Sequence, residues 1–306
     1  MFRLGVISKK QIPTAIVPPG PAIALTLLEE FSDPMSDADE ARFAGIYEML
    51  QQGPEFSMKT FPNRFGELDT AIADALETTT TPDRQIRVHD MAASNAITSL
   101  ELFECLHSRF RGNVSLRASD YFDALYLVSI PESRWKVIFD AGGSPVQFVR
   151  GRLVLSANRE PRRYLINRLL QKCVAPALLR KASAGLSGGH RIALFHPRCV
   201  AAASACARFT LGREDVFKPE TTSYDALRIM NLLIHVPPDR SRPWFVPACR
   251  TVGDGGLFVI GIAPLRTDPI DATIFQRCGS RFNPLRDLGG GYEHRQAVLD
   301  LDLDGP

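Results

Sequence analysis

The chain has 306 residues, 45% hydrophobic and 23% charged, with a formal net charge of +2. That suits one large α/β domain, or one domain with an accessory part, and a sizeable buried core. No Lys/Arg block exceeds "SKK", which argues against nucleic acid, and no apolar run reaches about 18 residues, which argues against a membrane span.

Residues 1–20 are Pro-rich and irregular. They lack a cationic start, a long apolar core and a small-residue cleavage site, so no secretion leader is expected. Two stretches, "PAIALTLLEEFSD" and "DADEARFAGIYEMLQQ", carry apolar residues at helical steps, and Asp37, Asp39 and Glu40 load the start of the second with favourable negative charge. "FGELDTAIADALETTTTPD" reads as a third helix and a linker. Residues 1–83 therefore form an N-terminal helical region.

From Arg84 the pattern changes. "QIRVHD" is a β-branched strand, "AITSLELFECLHSRF" a helix and "GNVSLRASD" a second strand. That is a βαβ unit, normally parallel and right-handed. "WKVIFDAGGSPVQFVRGRLVLS" has the alternation of a hairpin around "DAGGSP". "EPRRYLINRLLQKCVAPALLRKA" is helical and cut by Pro176. These define an inserted hairpin and helix lid, residues 135–186. The α/β alternation then resumes with strands at "RIALF", "RFTLGREDVF", "YDALRIMNLLIHV" and "GDGGLFVIGIA", and helices at "RCVAAASACA" and "RPWFVPACRTV". The tail, from "DATIFQR" to "RQAVLDLDL", has strand character throughout.

Between the first strand and its helix lies "DMAASNA". A helix start just beyond a strand presents unpaired N–H groups, and a ligand reaches them only past small side chains. Nucleotide-binding βαβ units usually place glycine there. Here a D-x-G-x-G-x-G register is filled by Asp90, Ala92, Ser94 and Ala96. Alone, the stretch reads equally well as a plain turn capped by Ser94 or Asn95. Judged on composition, restoring glycine should cost about 0.5–1 kcal/mol in chain freedom.

Beyond this turn the chain carries acids at successive strand ends. Asp120 ends the second strand, where a carboxylate can accept two ribose hydroxyls. "REDVF" puts Asp215 and Val216 at a strand end, and "YDALRIMNLL" precedes "VGDGGLFVIG". Over residues 84–275 the chain resembles the class I S-adenosylmethionine-dependent methyltransferases. The set "REDVFKP…YDALRIMNLLIHV…ACRTVGDGGLFVIG" is nearest the chemotaxis-receptor type. The resemblance implies a Rossmann-like, mostly parallel seven-stranded sheet over residues 84–306, with the last strand antiparallel and helices on both faces. It implies roles too. Asp90, Ala92, Ser94 and Asn95 would border the amino acid end of the cofactor, Asp120 would bind its ribose, and Tyr121 would also touch the cofactor. Asp215 and Val216 would flank the adenine, and Asn231 would face the sulfonium. Tyr164, in "EPRRYLINRLL", is the second candidate catalytic residue, although that stretch also reads as an exposed basic face. Three features depart from the family. The loop has no glycine, Met230 stands where the chemotaxis enzymes carry arginine, and the insert is not a standard one. "RIALFHPR", with His196 at its end, is an alternative ribose strand.

The six histidines lack metal-ligand spacing, so no metal is expected, and no G-x-S-x-G elbow exists. The six cysteines are scattered, with no C-x-x-C, as in a reducing cytoplasm. The expected activity is methyl transfer from S-adenosylmethionine to a small molecule, the kind of step found in secondary metabolism. The alternatives are a cyclising enzyme whose substrate is S-adenosylmethionine itself, releasing methylthioadenosine, and a catalytically silent cofactor-binding protein.

Overall fold

The computed structural model describes residues 23–48, 50–52, 56–57, 60–81, 84–131, 133–157, 172–173, 175–183, 185, 188–232, 246–263 and 268–304. Tyr164 and most of "EPRRYLINRLLQKC" lie outside these residues.

The chain forms two compact units, each built from separate stretches: residues 1–59 with 122–197, and residues 60–121 with 198–306. This differs from the expected division. The segment 60–83 belongs with the larger sheet, and the other unit extends well beyond residues 135–186.

In chain order the first unit begins with a 3-10 turn, Leu25–Glu30, helix α1, Asp37–Glu48, and the two-residue strands β1, Gln51–Gln52, and β2, Phe56–Ser57. The second unit starts with α2, Gly66–Thr79, β3, Ile86–Met91, α3, Ile97–Arg109, and β4, Val114–Asp120. The chain then returns to the first unit through β5, Ala124–Ser129, β6, Lys136–Phe139, β7, Pro145–Arg150, β8, Leu153–Ser156, α4, Ala175–Ser183, and β9, His190–Ala193. The second unit is completed by α5, Pro197–Ala205, β10, Phe209–Arg213, β11, Tyr224–Met230, β12, Val252–Ile262, β13, Asp271–Cys278, β14, Arg281–Leu288, and α6, Arg295–Leu299.

The first unit is an antiparallel sheet ordered β8-β7-β6-β5-β9. Side chains alternate across it, as a period of two requires. Ile138 joins Leu28, Phe31, Phe43 and Ile46 in one core, while Val137 and Phe139 join Leu178 and Ala182 of α4 in another. The strand expected at "RIALF" is β9, and it pairs antiparallel with β5 rather than extending the α/β sheet. His196 is accordingly in this unit, buried against Phe43 and bonded to Glu40 at 2.9 Å. The alternative ribose strand is thereby removed from the parallel sheet.

The second unit is a seven-stranded sheet ordered β10-β4-β3-β11-β12-β13-β14. The first five are mutually parallel. Strand β13 is antiparallel to β12 and β14 antiparallel to β13. The expectation that the last strand runs against the sheet is corrected: the reversed strand is β13. Only Gly279 and Ser280 separate β13 from β14, with Gly279 at φ 63°, and so short a link permits only an antiparallel hairpin. The outer strand β14 carries Arg281, Arg286, Asp287 and Pro284, an edge protected against further pairing. Residues Arg295–Leu299, expected as strand, form α6, whose Val298 packs with Phe258, Phe275 and Phe282. Among the described residues no helix is long and apolar enough to cross a membrane.

In the first unit, buried Gln147 satisfies two backbone groups. Its Oε1 accepts from the Leu25 N–H at 2.9 Å and its Nε2 donates to the Ile23 carbonyl at 2.8 Å. Gln147→Leu keeps the volume and orphans both groups, so it should destabilise the protein by at least about 2 kcal/mol. Urea unfolding with an unchanged midpoint would show that water replaces the amide.

Candidate functional site

Strands β10, β4, β3 and β11 run in one direction, so Arg213, Asp120, Met91 and Met230 end at the same edge of the sheet. In open α/β sheets this carboxyl edge is where ligands bind. The residues just beyond these ends include Ala92 to Ala96, Tyr121, Asp215, Val216 and Asn231.

The turn from β3 to α3 has an unusual backbone. Ala92 has φ 58°, Ser94 φ 58° and Ala96 φ 65°. These are the three positions of the glycine register, and each is in the left-handed region that glycine enters freely and L-residues avoid at about 1–2 kcal/mol apiece. The glycine conformation is present without the glycines. Hydrogen bonds hold it. The Ala93 N–H donates to the Ser119 carbonyl at 3.0 Å and the Ser94 N–H to Asp120 Oδ2 at 2.7 Å. The Ala96 N–H donates to the Ala93 carbonyl at 2.9 Å, and buried Asn95 accepts the Ile97 N–H on Oδ1 at 3.0 Å. Asn95, one residue before the N-cap Ala96, thus satisfies the first amide of α3, while Asp120 is brought against the loop. The Ser94 hydroxyl is buried with no hydrogen-bond partner among the described residues.

The other expected residues have varied placements. Tyr121 is exposed, with the Arg213 guanidinium 4.9 Å from its ring centre. Asp215 closes its own turn, accepting the Phe217 N–H at 3.0 Å. Val216 packs against the core cluster containing Met91 and Ile229. Asn231, at φ 57°, accepts the Ala263 N–H on Oδ1 at 2.7 Å and ties the end of β11 to that of β12. Asp90 does not face the loop: it forms a buried double contact with Arg228, Nε–Oδ1 at 3.0 Å and Nη2–Oδ2 at 2.6 Å.

Arg228 is the largest feature that sequence reasoning missed. It is 1% exposed, at the middle of β11, and also donates to Asp69 Oδ1 at 2.6 Å and to the Thr98 carbonyl at 3.0 Å. The Ser99 hydroxyl adds a bond to Asp90 Oδ2 at 2.6 Å. Burial alone would lower the Arg228 pKa, but Asp90 and then Asp69 outweigh it and hold the pKa above its usual value. Burial pushes the Asp69 carboxyl up, against the pull of Arg228. An arginine inside the apolar run "YDALRIM" was a legible signal for buried counter-charges.

A second buried polar group lies between β3 and β4. His89 Nε2 is 2.8 Å from Ser119 Oγ and 3.5 Å from Glu214, which Arg117 approaches at 3.1 Å. Burial, then the Arg117 charge, lowers the His89 pKa from 6.5 to about 3. Among the described residues no group of three or more His, Cys, Asp or Glu is placed to hold a metal ion.

No protein family and no curated protein matches the sequence. The solved structures that it resembles include S-adenosylmethionine-dependent methyltransferases. Magnesium protoporphyrin IX methyltransferase from Synechocystis, determined with bound S-adenosylhomocysteine, is 10% identical with a TM-score of 0.31, over 65% of this chain and 56% of that one. An S-adenosylmethionine-dependent methyltransferase from Mesorhizobium loti is 13% identical with a TM-score of 0.28, over 63% and 55%. A protein-L-isoaspartate O-methyltransferase is 10% identical with a TM-score of 0.34, over 86% and 57%. The chain thus spans about half the length of such structures. Likenesses this distant carry no argument, and the functional reading rests on the chain's own topology and loop.

Positive φ reverses the expected effect of glycine. Relief of about 1–2 kcal/mol of left-handed strain exceeds the entropy cost of about 0.5–1 kcal/mol. Ala92→Gly and Ala96→Gly should each raise stability by about 0.5–1 kcal/mol, read as a higher urea midpoint. A lower midpoint would mean that the loop is not held left-handed in solution.

His89 predicts a pH dependence. Its folded pKa lies below its unfolded one, so below about pH 6.5 the unfolded chain takes up a proton that the folded one refuses, and stability is lost as pH falls toward about 3. His89→Gln should flatten this slope. Parallel curves for both proteins between pH 7 and pH 4 would assign the acid loss to other groups.

Proposed function

We propose that the chain is an S-adenosylmethionine-dependent enzyme that transfers a methyl group to a small molecule. One observation carries the reading: the turn after β3 adopts the glycine-loop backbone at Ala92, Ser94 and Ala96 while a carboxylate from the next strand, Asp120, is bound to it. A plain αβ turn has no need of three strained residues. Strain of this kind persists where the surrounding structure over-determines it, and it clusters at ligand sites.

S-adenosylmethionine supplies a sulfonium whose attached carbon is open to in-line displacement. The residues of this chain would bind and orient it. The loop backbone offers close approach at the amino acid end, and the buried Ser94 hydroxyl, lacking a partner among the described residues, would gain one from a polar group of the ligand. Asp120 would accept ribose hydroxyls while keeping the Ser94 N–H on Oδ2. Tyr121, Asp215 and Val216 would border the base. Asn231, whose Oδ1 is engaged by Ala263, would fix the rim of the site. Catalysis would then consist mainly of alignment and exclusion of water. The order of acid-Val-Phe, a Tyr-Asp strand ending in Asn, and a Gly-Gly strand supports kinship with the chemotaxis-receptor type.

Asp120→Ala should weaken S-adenosylhomocysteine binding tenfold or more, since a charge-assisted bond is worth about 1.5–3 kcal/mol and a decade about 1.4 kcal/mol. Titration calorimetry is the measurement, and a wild-type protein that binds neither S-adenosylmethionine nor S-adenosylhomocysteine would end the reading. Mass spectrometry of the products then decides the chemistry. S-adenosylhomocysteine formed with a small-molecule acceptor supports methyl transfer. Methylthioadenosine formed without an acceptor would mean cyclisation, and binding with no product a silent protein.

A further inference from the structure

We infer that Arg228 is a positioning residue that holds the strained β3–α3 loop in its ligand-ready form and so takes over the role that glycines play by their lack of a side chain. The inference rests on the reading that this loop receives the sulfonium ligand. The loop is tied down on two sides. On one, β4 takes the Ala93 and Ser94 N–H groups through Ser119 and Asp120. On the other, the first turn of α3 is held from beneath. Arg228 Nη2 donates both to the Thr98 carbonyl at 3.0 Å and to Asp90 Oδ2 at 2.6 Å, and Ser99 Oγ donates to that same Asp90 oxygen. Asp90 is the penultimate residue of the strand that enters the loop, and Thr98 and Ser99 lie in the first turn of the helix that leaves it. One guanidinium thus spans entry and exit, and its other nitrogen, Nη1, is fixed by Asp69 of α2 at 2.6 Å.

The geometry explains why the loop keeps its shape. Three L-residues with positive φ have nearby relaxed alternatives with negative φ. Reaching them requires Ala96, the residue before the helix, to rotate, which shifts the first turn of α3. That turn cannot shift while Arg228 and Asp90 grip it inside the protein, where breaking a paired charge is costly. Lysine would keep the charge but has neither the planar fork nor the reach to serve Asp69, Asp90 and Thr98 together.

The test is Arg228→Lys, made in the native loop and in a loop carrying Ala92→Gly, Ser94→Gly and Ala96→Gly. In the native loop Arg228→Lys should weaken S-adenosylhomocysteine binding by about tenfold or more; in the glycine loop, which needs no holding, the loss should shrink to about twofold. Equal losses in both backgrounds, or none, overturn the inference. Should Arg228→Lys fail to fold, Ser99→Ala removes one tether, leaves the ion cluster intact and carries the same comparison. A ligand-free readout separates this inference from the assigned function. Hydrogen exchange at the amides of Ala93, Ser94, Ala96 and Ile97 should accelerate more on Arg228→Lys in the native loop than in the glycine loop. If wild-type protein binds no ligand but the exchange shows this difference, the functional reading fails and the positioning role stands. Exchange equally affected in both loops removes the role itself.

Discussion

A guanidinium sealed from water at the centre of a sheet constrains everything around it. Arg228 sits in a strand whose every residue is buried. Its desolvation, several kcal/mol for an ion in a protein interior, is tolerable only if its donors meet acceptors in good geometry. Those acceptors come from β3, α2 and α3. The β3–β11 register places Asp90 directly opposite Arg228, so a slip of that pairing would leave both charges unpaired. The sheet register, the seating of two helices and the path of the loop between β3 and α3 are coupled through one side chain.

The loop shows why residue identity and backbone conformation must be distinguished. Glycine loops are recognised by their residues, but ligands meet their backbone. Here alanine, serine and alanine stand at left-handed φ, with tertiary hydrogen bonds on both sides of the loop. The strain is stored where a ligand would approach, and rigid elements hold it. A loop fixed in this way loses little freedom when a ligand arrives, which favours binding by preorganisation. The Cβ atoms at Ala92 and Ala96 also narrow the space beside the loop, a difference from glycine loops.

Much of this fold was legible. The βαβ unit from Arg84 to Asp120 follows from β-branched strands around an amphipathic helix, and the parallel β11 and β12 follow from buried apolar runs. The hairpin of β6 and β7 was marked by alternation around Gly142 and Gly143. Other elements were not legible for definite reasons. "RIALF" reads as a parallel strand because a short apolar run does not reveal its neighbour, and β9 pairs antiparallel with β5. "RQAVLDLDL" alternates like a strand, yet Arg295–Leu299 is a helix covering Phe258 and Phe282, a case of packing prevailing over local pattern. Asp120 was read as a strand-end acid for ribose, and the structure bonds it to the Ser94 N–H of the loop. Asp90 was placed at the loop by motif, but its partner Arg228 is 138 residues away in the chain.

The sequence by itself determined the βαβ unit, the small-residue turn between the first parallel strand and its helix, and the carboxylate at the end of the next strand. These are local properties, written in periodicity and residue size. Only the tertiary structure decided that the turn is left-handed at Ala92, Ser94 and Ala96, that Asp90 serves Arg228 rather than the loop, and that β13 rather than the last strand runs against the sheet. The reason is physical. A backbone angle unfavourable for the residue that adopts it, and a charge unfavourable where it is buried, exist only because distant parts of the chain compensate for them. No window of neighbouring residues contains those distant parts.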